Sequence, residues 1–463
     1  MQAPQEPHPT HVDPRPHLPE TPRALTQDLL QRFYNPGSSL VLALSGLLFL
    51  LGIAGFAMRL SGGFEDRAAW GFYAATFVFL LSTAQAAPCL AVATRLSQGY
   101  WRKPIVRAAE LFTAVGVLNL LLLLPLLALI PPLEGRRTFW MAWAGAPQTI
   151  PQAVLLLGML GLVVCGLGLL YTSALPDIAA ARDHASSGTR RSLLTALAGS
   201  WVGTAHQWKI VRTGVTYFGI FYLIILVGVN FLVSVEYAIT LVPGWRDPIF
   251  PAYQAVSSFQ AGLATVIICV GALRAFGGYR QYLALDQFWN PAKILLPLTL
   301  LWFYFWWCSF IIFWYGRTPA EVGVLQVIMF GPYRTVFILG FLCSFVIPLL
   351  LLIWNPIRTS IKGPIIVSVF ILIGNFLDRV RIYAASFSTD PFGQRVEQVP
   401  ATNFPDLADV LLLIGAVGAV VFLYSLASRF IPPLSLWELK EGQLLTRVRS
   451  LIRNQVVVIG KPE

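Results

Sequence analysis

Charged residues are scarce in this sequence. Only 12% of its 463 residues are Asp, Glu, Lys or Arg, whereas 56% are hydrophobic, and the mean hydropathy is +0.67. A soluble domain cannot bury that much apolar surface, so the composition excludes an ordinary soluble fold and predicts an integral membrane protein. The net charge of +11 does not indicate nucleic-acid binding, because no basic segment is interleaved with exposed aromatic residues on a soluble module.

Paired histidines and clustered cysteines are also missing. None of the five histidines falls in a predicted membrane span, which argues against a b-type haem. The five cysteines occupy five different predicted spans and form no C-x-x-C motif. There is no G-x-x-x-x-G-K-[ST] motif, which argues against nucleotide-driven pumping. We therefore expect a chain that binds no haem, iron–sulphur cluster or metal ion itself and carries no catalytic residue.

Long apolar stretches are what the sequence does contain. Windows of roughly 20 apolar residues, the length that a bilayer core requires, occur ten times. They lie near residues 39–60, 69–94, 107–131, 151–175, 210–235, 250–273, 292–315, 333–354, 364–387 and 406–428. Because they lack the alternation of barrel strands, the predicted fold is an all-α bundle of about ten transmembrane helices.

The two ends of the chain are more polar than its middle. Residues 1–36 are Pro-rich and are predicted to be disordered, residues 37–430 would form the transmembrane domain, and residues 431–463 a basic C-terminal tail. Within that tail, residues 437–453 predict a short cationic amphipathic helix. With the N-terminus inside, 22 of the 33 Lys and Arg residues fall on the inner side, which places both termini in the cytoplasm.

The clearest ionisable residues inside a predicted span lie in I-L-I-G-N-F-L-D-R-V-R-I-Y. Asp378 and Arg381 are three residues apart and share a helix face, and Asn375 lies one turn earlier on that face. Charge inside a bilayer is costly and usually faces the bundle interior or a water-filled path. Two interpretations stay open: a polar site associated with protons or quinone, and a structural ion pair that locks neighbouring helices.

Four further carboxylates could belong to a proton path. Glu236 ends the fifth span on the outer side, and Asp406 and Asp409 begin the tenth, so they could form an outward half-channel with Asp378. Glu110 lies about one turn into the third span on the inner side. The alternative for each is a solvated charge at the membrane interface.

Three stretches resemble one family. The run S-V-E-Y-A-I-T-L-V-P-G-W-R-D-P-I-F, residues 234–250, resembles the S-x-D-W-x-x-S-L-x-P-x-W-x-S-T-I-F signature of the NrfD/PsrC-like membrane subunits of bacterial alternative complex III. Residues 305–321 resemble the Q-x-x-L-I-W-Y-x-N-I-P-E-E motif of that family, and G-N-F-L-D resembles its G-R-W-L-D. The sequence departs from the signature at Glu236 and Tyr237, which replace Asp and Trp, and at Asp247, which replaces Ser. Within the family it resembles the ActF subunit more than its paralogue ActC.

The resemblance implies a cofactor-free subunit of a quinol:electron-acceptor oxidoreductase in the bacterial cytoplasmic membrane. The implied partners are a paralogous NrfD-like subunit, an iron–sulphur subunit, c-type cytochrome subunits, membrane lipids and a quinol such as menaquinone. The implied roles are anchoring of the redox subunits and conduction of protons. Two alternatives stay open: an ActC-like subunit that itself binds quinol, and a secondary transporter, for which matching Gly- or Pro-broken spans in two halves are expected.

Overall fold

The computed structural model describes residues 19, 21–35, 39–143, 145–451 and 454–459. Within these residues, eight helices are long and apolar enough to cross a membrane, and the protein is an all-α, multi-pass membrane protein. The labelled helices are α1 Pro22–Tyr34, α2 Ser39–Ser61, α3 Gly71–Ser82, α4 Pro88–Leu96, α5 Val106–Ala128, α6 Ile150–His184, α7 Thr189–Ala198, α8 Ala205–Tyr237, α9 Phe250–Phe276, α10 Asp286–Gly316, α11 Pro319–Phe330, α12 Arg334–Ile353, α13 Lys362–Arg379, α14 Leu407–Phe430 and α15 Leu436–Leu445. Short helical turns lie at Ala68–Trp70, Tyr100–Arg102, Phe139–Ala142, Ile239–Leu241 and Asn355–Arg358.

Two of the ten predicted spans do not correspond to one of the eight long apolar helices. The second is interrupted at residues 83–87, between α3 and α4, where Pro88 begins the second piece. The ninth, α13, continues past Arg379 through a π-helical segment, Val380–Ala384, and a last turn, Ala385–Phe387. Neither is among the eight helices that meet the length and composition criteria of a span, so the count of ten stays a prediction.

Small residues set the closest helix contact. The first and last spans, α2 and α14, pack along much of their length. A Cβ added at Gly52 would lie 2.6 Å from the Cα of Gly415, so only glycine fits at this crossing. Without a hydrophobic driving force in lipid, such close backbone approach is a main source of helix association. Elsewhere α6 packs on α8, and α9 packs on both α10 and α13.

Both polar tails contribute a helix at one end of the bundle. Helix α1 begins at the N-cap Thr21 and buries Leu25, Leu29 and Phe33, which are spaced one helical turn apart. The prediction of disorder over residues 1–36 is therefore wrong for residues 22–34, because these apolar side chains have a surface to pack on. Most of the remaining residues of that tail lie outside the described part of the chain.

The C-terminal prediction is also only partly right. Helix α15 ends at Leu445, and the next residues form a two-stranded antiparallel hairpin of β1 Thr446–Leu451 and β2 Asn454–Ile459. The predicted amphipathic helix therefore ends eight residues early. The physical reason is composition, since the β-branched run V-V-V-I at residues 456–459 favours a strand over a helix. Gln443 Nε2 donates a hydrogen bond to the carbonyl of Pro19 at 2.7 Å, so the two tails meet at the same end, here termed the basic end.

Candidate functional site

A widened helical turn positions the ionisable residues of the ninth predicted span. Helix α13 runs to Arg379, and the following five residues, Val380–Ala384, form a π-helical turn. Such turns insert an extra residue into an α-helix and occur frequently at functional sites. Asp378 and Arg379 end the α-helical part and Arg381 lies in the π-helical turn, and all three side chains are buried.

Asp378 forms ion pairs with both arginines. Arg381 Nη2 and Nε lie 2.6 and 3.0 Å from Asp378 Oδ1, and Arg379 Nη1 lies 3.3 Å from Oδ2. Arg381 Nη1 also donates to the carbonyl of Ile328 at 3.2 Å. One carboxylate therefore faces two guanidinium groups in a buried site, and ionised Asp378 leaves a net positive charge there.

Hydrogen bonds extend from this pair towards the break between α3 and α4. Arg379 donates to Gln254 and, at 3.1 Å, to Ser257 Oγ. Asn375 Nδ2 donates to the same Ser257 oxygen at 3.0 Å, and Ser82 Oγ donates to Asn375 Oδ1 at 2.8 Å. The set formed by Asp378, Arg379, Arg381, Gln254, Ser257, Asn375 and Ser82 is termed the Asp378 cluster.

The break beyond Ser82 carries a second polar pair. Asn119 Nδ2 on α5 donates to Gln85 Oε1 at 2.9 Å, and Tyr222 donates to the Gln85 carbonyl. Non-helical backbone at membrane depth is tolerated only where it is buried in protein or lines water. The Oδ1 atom of Asn119 and the Oγ1 atom of Thr113 are buried without a hydrogen-bond partner in the described chain, so ordered water is the natural partner for both.

Glu110 belongs to a buried ion-pair network at the basic end. It pairs with Arg95, accepts a hydrogen bond from Ser173, and lies 3.4 Å from Arg107 Nε. Arg107 Nη2 lies 3.1 Å from Asp177 Oδ2. Glu438 of α15 completes the set. The basic-end network thus comprises Arg95, Arg102, Arg107, Glu110, Asp177 and Glu438.

The remaining predicted carboxylates lie at the end opposite the basic end, where Glu236 pairs with one arginine and Asp406 and Asp409 share another. Glu236 pairs with Arg136 at 3.3 Å and accepts a hydrogen bond from Trp140 at 2.7 Å. Asp406 and Asp409 lie 2.7 and 2.8 Å from Arg59. Among the described residues no hydrogen bond or ion pair joins either group to Asp378. The structure therefore brings Asp378, Arg381 and Asn375 together but does not join Glu236, Asp406 and Asp409 to them.

Three members of the Asp378 cluster were not predicted from the sequence: Gln254 and Ser257 on α9, and Arg379 as a partner of Asp378. Gln254 and Ser257 are polar residues in an apolar span, which is a signal, but their partners lie more than a hundred residues away and depend on how the helices pack. Within the described part of the chain no three His, Cys, Asp or Glu side chains converge in a way that could hold a metal ion. The expectation of a metal-free chain stays a prediction.

Comparison with known proteins gives one family. The family described as "Polysulphide reductase, NrfD" matches residues 62–389, which is most of the chain. The matched region contains Ser82, Glu110, Glu236 and the rest of the Asp378 cluster, but neither Asp406 nor Asp409. No curated protein matches the chain.

Proposed function

Because the chain belongs to the NrfD family, whose members are membrane subunits of quinol or polysulphide oxidoreductase complexes, we propose that it is an ActF-type subunit of alternative complex III. In this proposal it resides in a bacterial cytoplasmic membrane and binds no redox cofactor. It anchors an iron–sulphur subunit and c-type cytochrome subunits beside a paralogous NrfD-like subunit, while quinol such as menaquinone is oxidised elsewhere in the complex.

We further propose that the chain conducts protons between the basic end and the Asp378 cluster. The observation that carries this proposal is the series of buried polar groups through the bundle. Hydrogen bonds join Asp378 through Arg379, Ser257 and Asn375 to Ser82. Gln85 and Asn119 follow, and Glu110 lies on the same helix as Asn119. Buried polar chains of this kind in membrane proteins commonly serve as proton relays.

The depth of Asp378 supports the same role. It lies about 14 residues beyond Pro364, so at about 1.5 Å per residue it is about 20 Å along a hydrocarbon core of about 30 Å. A short carboxylate cannot reach the headgroups from that depth. It must either be neutralised by its arginines or exchange protons through water and polar neighbours.

Native purification tests the assignment to a complex. A tag on the N-terminal tail, followed by mild detergent extraction, should co-purify an iron–sulphur subunit, c-type cytochromes and a second NrfD-like chain. Recovery of the chain alone, or with a soluble transport partner, would contradict the proposal and favour the secondary transporter.

Substitution of Asp378 tests the proton path. Asp378→Asn keeps an oxygen that accepts from Arg381 but cannot ionise. The complex should therefore assemble and oxidise quinol at its usual rate, while the number of protons translocated per electron falls. An assembled Asp378→Asn complex with an unchanged proton-to-electron ratio would show that the Asp378–Arg381 pair has a purely structural role.

A second candidate function is that of an ActC-like subunit that itself binds quinol. It is favoured by a cavity of about 450 Å³ at the end opposite the basic end, lined by Phe139, Phe231 and Thr240 among others. This volume lies within the usual range of small-molecule sites. A quinone that stays bound to the purified chain and is displaced by substitution of Phe231 would support this candidate.

A further inference from the structure

Two cavities at the end opposite the basic end share a wall. The larger, of about 450 Å³, is termed the vestibule, and its lining includes the exposed Arg137 and Arg246. The smaller, of about 20 Å³, is termed the small cavity, and Arg381 of the Asp378 cluster lines it. Trp245 and Asp247 line both. These two residues therefore separate the exposed vestibule from the buried ion pair.

The small cavity has the size and chemistry of a water site. A volume of about 20 Å³ exceeds the roughly 10–15 Å³ that one water needs. Trp306 Nε1, on a lining residue, is buried without a hydrogen-bond partner in the described chain. Trp245 Nε1 and Ser309 Oγ lie beside the Asp247 carboxyl group and Tyr253 Oη lies beside that of Asp378, but none of the three makes a hydrogen bond of normal geometry there. Buried polar atoms in native proteins are almost always satisfied by protein or by ordered water. Water in this cavity would also lie beside Arg381.

Asp247 is the only carboxylate that lines either cavity in the described part of the chain. Its Oδ1 atom accepts hydrogen bonds from the backbone N–H groups of Ile249 and Phe250 at 2.9 and 3.1 Å, which caps helix α9. The carboxyl group also lies beside Ser309 and Trp245. Burial raises the pKa of Asp247 above its ordinary value, although these neighbours act in the opposite direction.

We propose that Asp247 is the group that exchanges protons between the Asp378 cluster and the water of the vestibule. This inference rests on the proposed proton path. A proton that leaves the Asp378 carboxylic acid passes to water in the small cavity, and that water protonates the Asp247 carboxylate. Asp247 then releases the proton to vestibule water and is again ionised. Arg381 stays protonated throughout, and no other bond changes.

The proposal differs from the outward half-channel expected from the sequence. Glu236, Asp406 and Asp409 line neither cavity. Glu236 is paired with Arg136, and Asp406 and Asp409 are both paired with Arg59. Asp247 forms no ion pair in the described chain and lies on the route that the cavities mark out. In this proposal Asp247 transfers protons only and takes no part in electron transfer.

Two substitutions separate proton exchange from capping. Asp247→Asn and Asp247→Ser both keep an oxygen that can accept from Ile249 and Phe250, but neither side chain can ionise. In liposomes containing the purified complex, both variants should assemble and oxidise quinol normally, while the proton-to-electron ratio falls at least about twofold, as for Asp378→Asn. Asp390→Asn is the matched control, because Asp390 is exposed at the same end and lines neither cavity.

The outcomes distinguish the inference from the proposed function. A ratio lowered by Asp378→Asn but unchanged in both Asp247 variants overturns the inference and leaves the proposed proton path standing. A ratio unchanged in all three variants overturns both.

Thiol labelling gives a reading that does not depend on transport. In the assembled complex, Asp247→Cys should react with a charged, membrane-impermeant methanethiosulfonate above the signal of the unsubstituted complex, which carries the buried Cys89 and four partly buried cysteines of this chain. Failure of the Asp247→Cys thiol to react, or protection of it by a bound quinone, would show that the vestibule is not open to water and would overturn the inference.

Discussion

Glu438, in the C-terminal helix α15, accepts a hydrogen bond from Arg95, at the end of α4, over a distance of 2.7 Å. Arg102 lies 2.5 Å from the other Glu438 oxygen, and the Glu438 side chain is fully buried. This carboxylate fastens the C-terminal helix to the basic end of the bundle. Burial alone would raise its pKa, but the positive charges of Arg95 and Arg102 outweigh burial and hold the pKa of Glu438 below its ordinary value.

Removal of the Glu438 charge should detach helix α15 from the basic end of the bundle. Glu438→Gln leaves Arg102 without its carboxylate, and breaking a buried pair in this way costs about 3–5 kcal/mol. We expect a lower thermal midpoint in detergent and faster proteolysis after Phe430. Glu441→Gln is the matched control, because the Lys103–Glu441 pair is partly exposed and worth about 0–1 kcal/mol. Equal effects of the two substitutions would contradict a special role for Glu438.

The same contact predicts the response to acid. Because the pKa of Glu438 is depressed in the folded state, its stabilising contribution is complete above the unfolded pKa of about 4.3 and is lost as the pH falls through the folded value. Proteolysis of α15 should therefore stay slow at neutral pH and accelerate only below about pH 4.3. Acceleration already at about pH 6 would point to a different titrating group.

Glycine at the α2–α14 crossing should be irreplaceable. A Cβ at position 415 would lie 2.0 Å from the Cα of Gly52, so Gly415→Leu must force the two helices apart. We expect a loss of about 1–3 kcal/mol or more, seen as reduced yield and a lower thermal midpoint. Gly228→Leu is the control, because no atom lies within 4 Å of a Cβ built there. Equal tolerance of both substitutions would show that this crossing does not hold the bundle together.

The sequence predicts best what depends on nearby residues. The Asp378–Arg381 pair follows from a spacing of three on a helix, and its distance of 2.6 Å agrees with that spacing. The Ser82–Asn375 hydrogen bond joins residues 293 positions apart and depends on how α3 meets α13. A single sequence does not specify how these two helices pack against each other. The role proposed for Asp247 was not predicted for the same reason, because only the assembled bundle places this loop carboxylate and Arg381 on the lining of one cavity.

Three departures from the sequence predictions had a local signal. Helix α1 follows a run of prolines, and that composition obscured the spacing of Leu25, Leu29 and Phe33. The break at residues 83–87 has Pro88 at its end and a polar Gln85 within it, both typical of interruptions in apolar helices. The C-terminal hairpin is a third case, where β-branched residues outweighed the expected helical pattern.

The contact between the two tails makes a prediction about topology. Since Gln443 donates to the carbonyl of Pro19, both tails should face the same side of the membrane, and the basic residues predict that this is the cytoplasm. Reporter fusions at residue 1 and after residue 463 should both be active in the cytoplasm. A C-terminal reporter that is active only outside would show that the predicted count of ten spans is wrong.

The purified chain should carry no haem or iron–sulphur cluster. His184 and His206 are exposed at the basic end, and the five cysteines form no disulfide and no cluster among the described residues. We therefore expect neither a haem absorption band nor bound iron once the partner subunits are stripped away. A stoichiometric Soret band in the isolated chain, measured beside its intact complex, would contradict the cofactor-free assignment.

The buried pair at Asp378 should behave as a unit. Arg381→Met removes the guanidinium that lies 2.6 Å from Asp378 and leaves that carboxylate with only Arg379 at 3.3 Å. Breaking the shorter of these two ion pairs at membrane depth is expected to cost about 3–5 kcal/mol, so assembled complex should be lost. Asp378→Asn alone should cost less, because its amide oxygen still accepts from Arg381, although Arg379 and Arg381 both lose their carboxylate.

The double variant decides whether Arg381→Met loses assembly because of the broken ion pair or because of lost packing. Asp378→Asn combined with Arg381→Met leaves no stranded carboxylate, and methionine fills much of the space of the arginine stem. We expect the double variant to recover assembly relative to Arg381→Met, with a coupling of about 0.5–3 kcal/mol between the two sites. Thermal midpoints of the four complexes in one detergent give that coupling. Strictly additive losses would mean that Arg381 acts through its contacts with Ile328 and Phe337 rather than through Asp378.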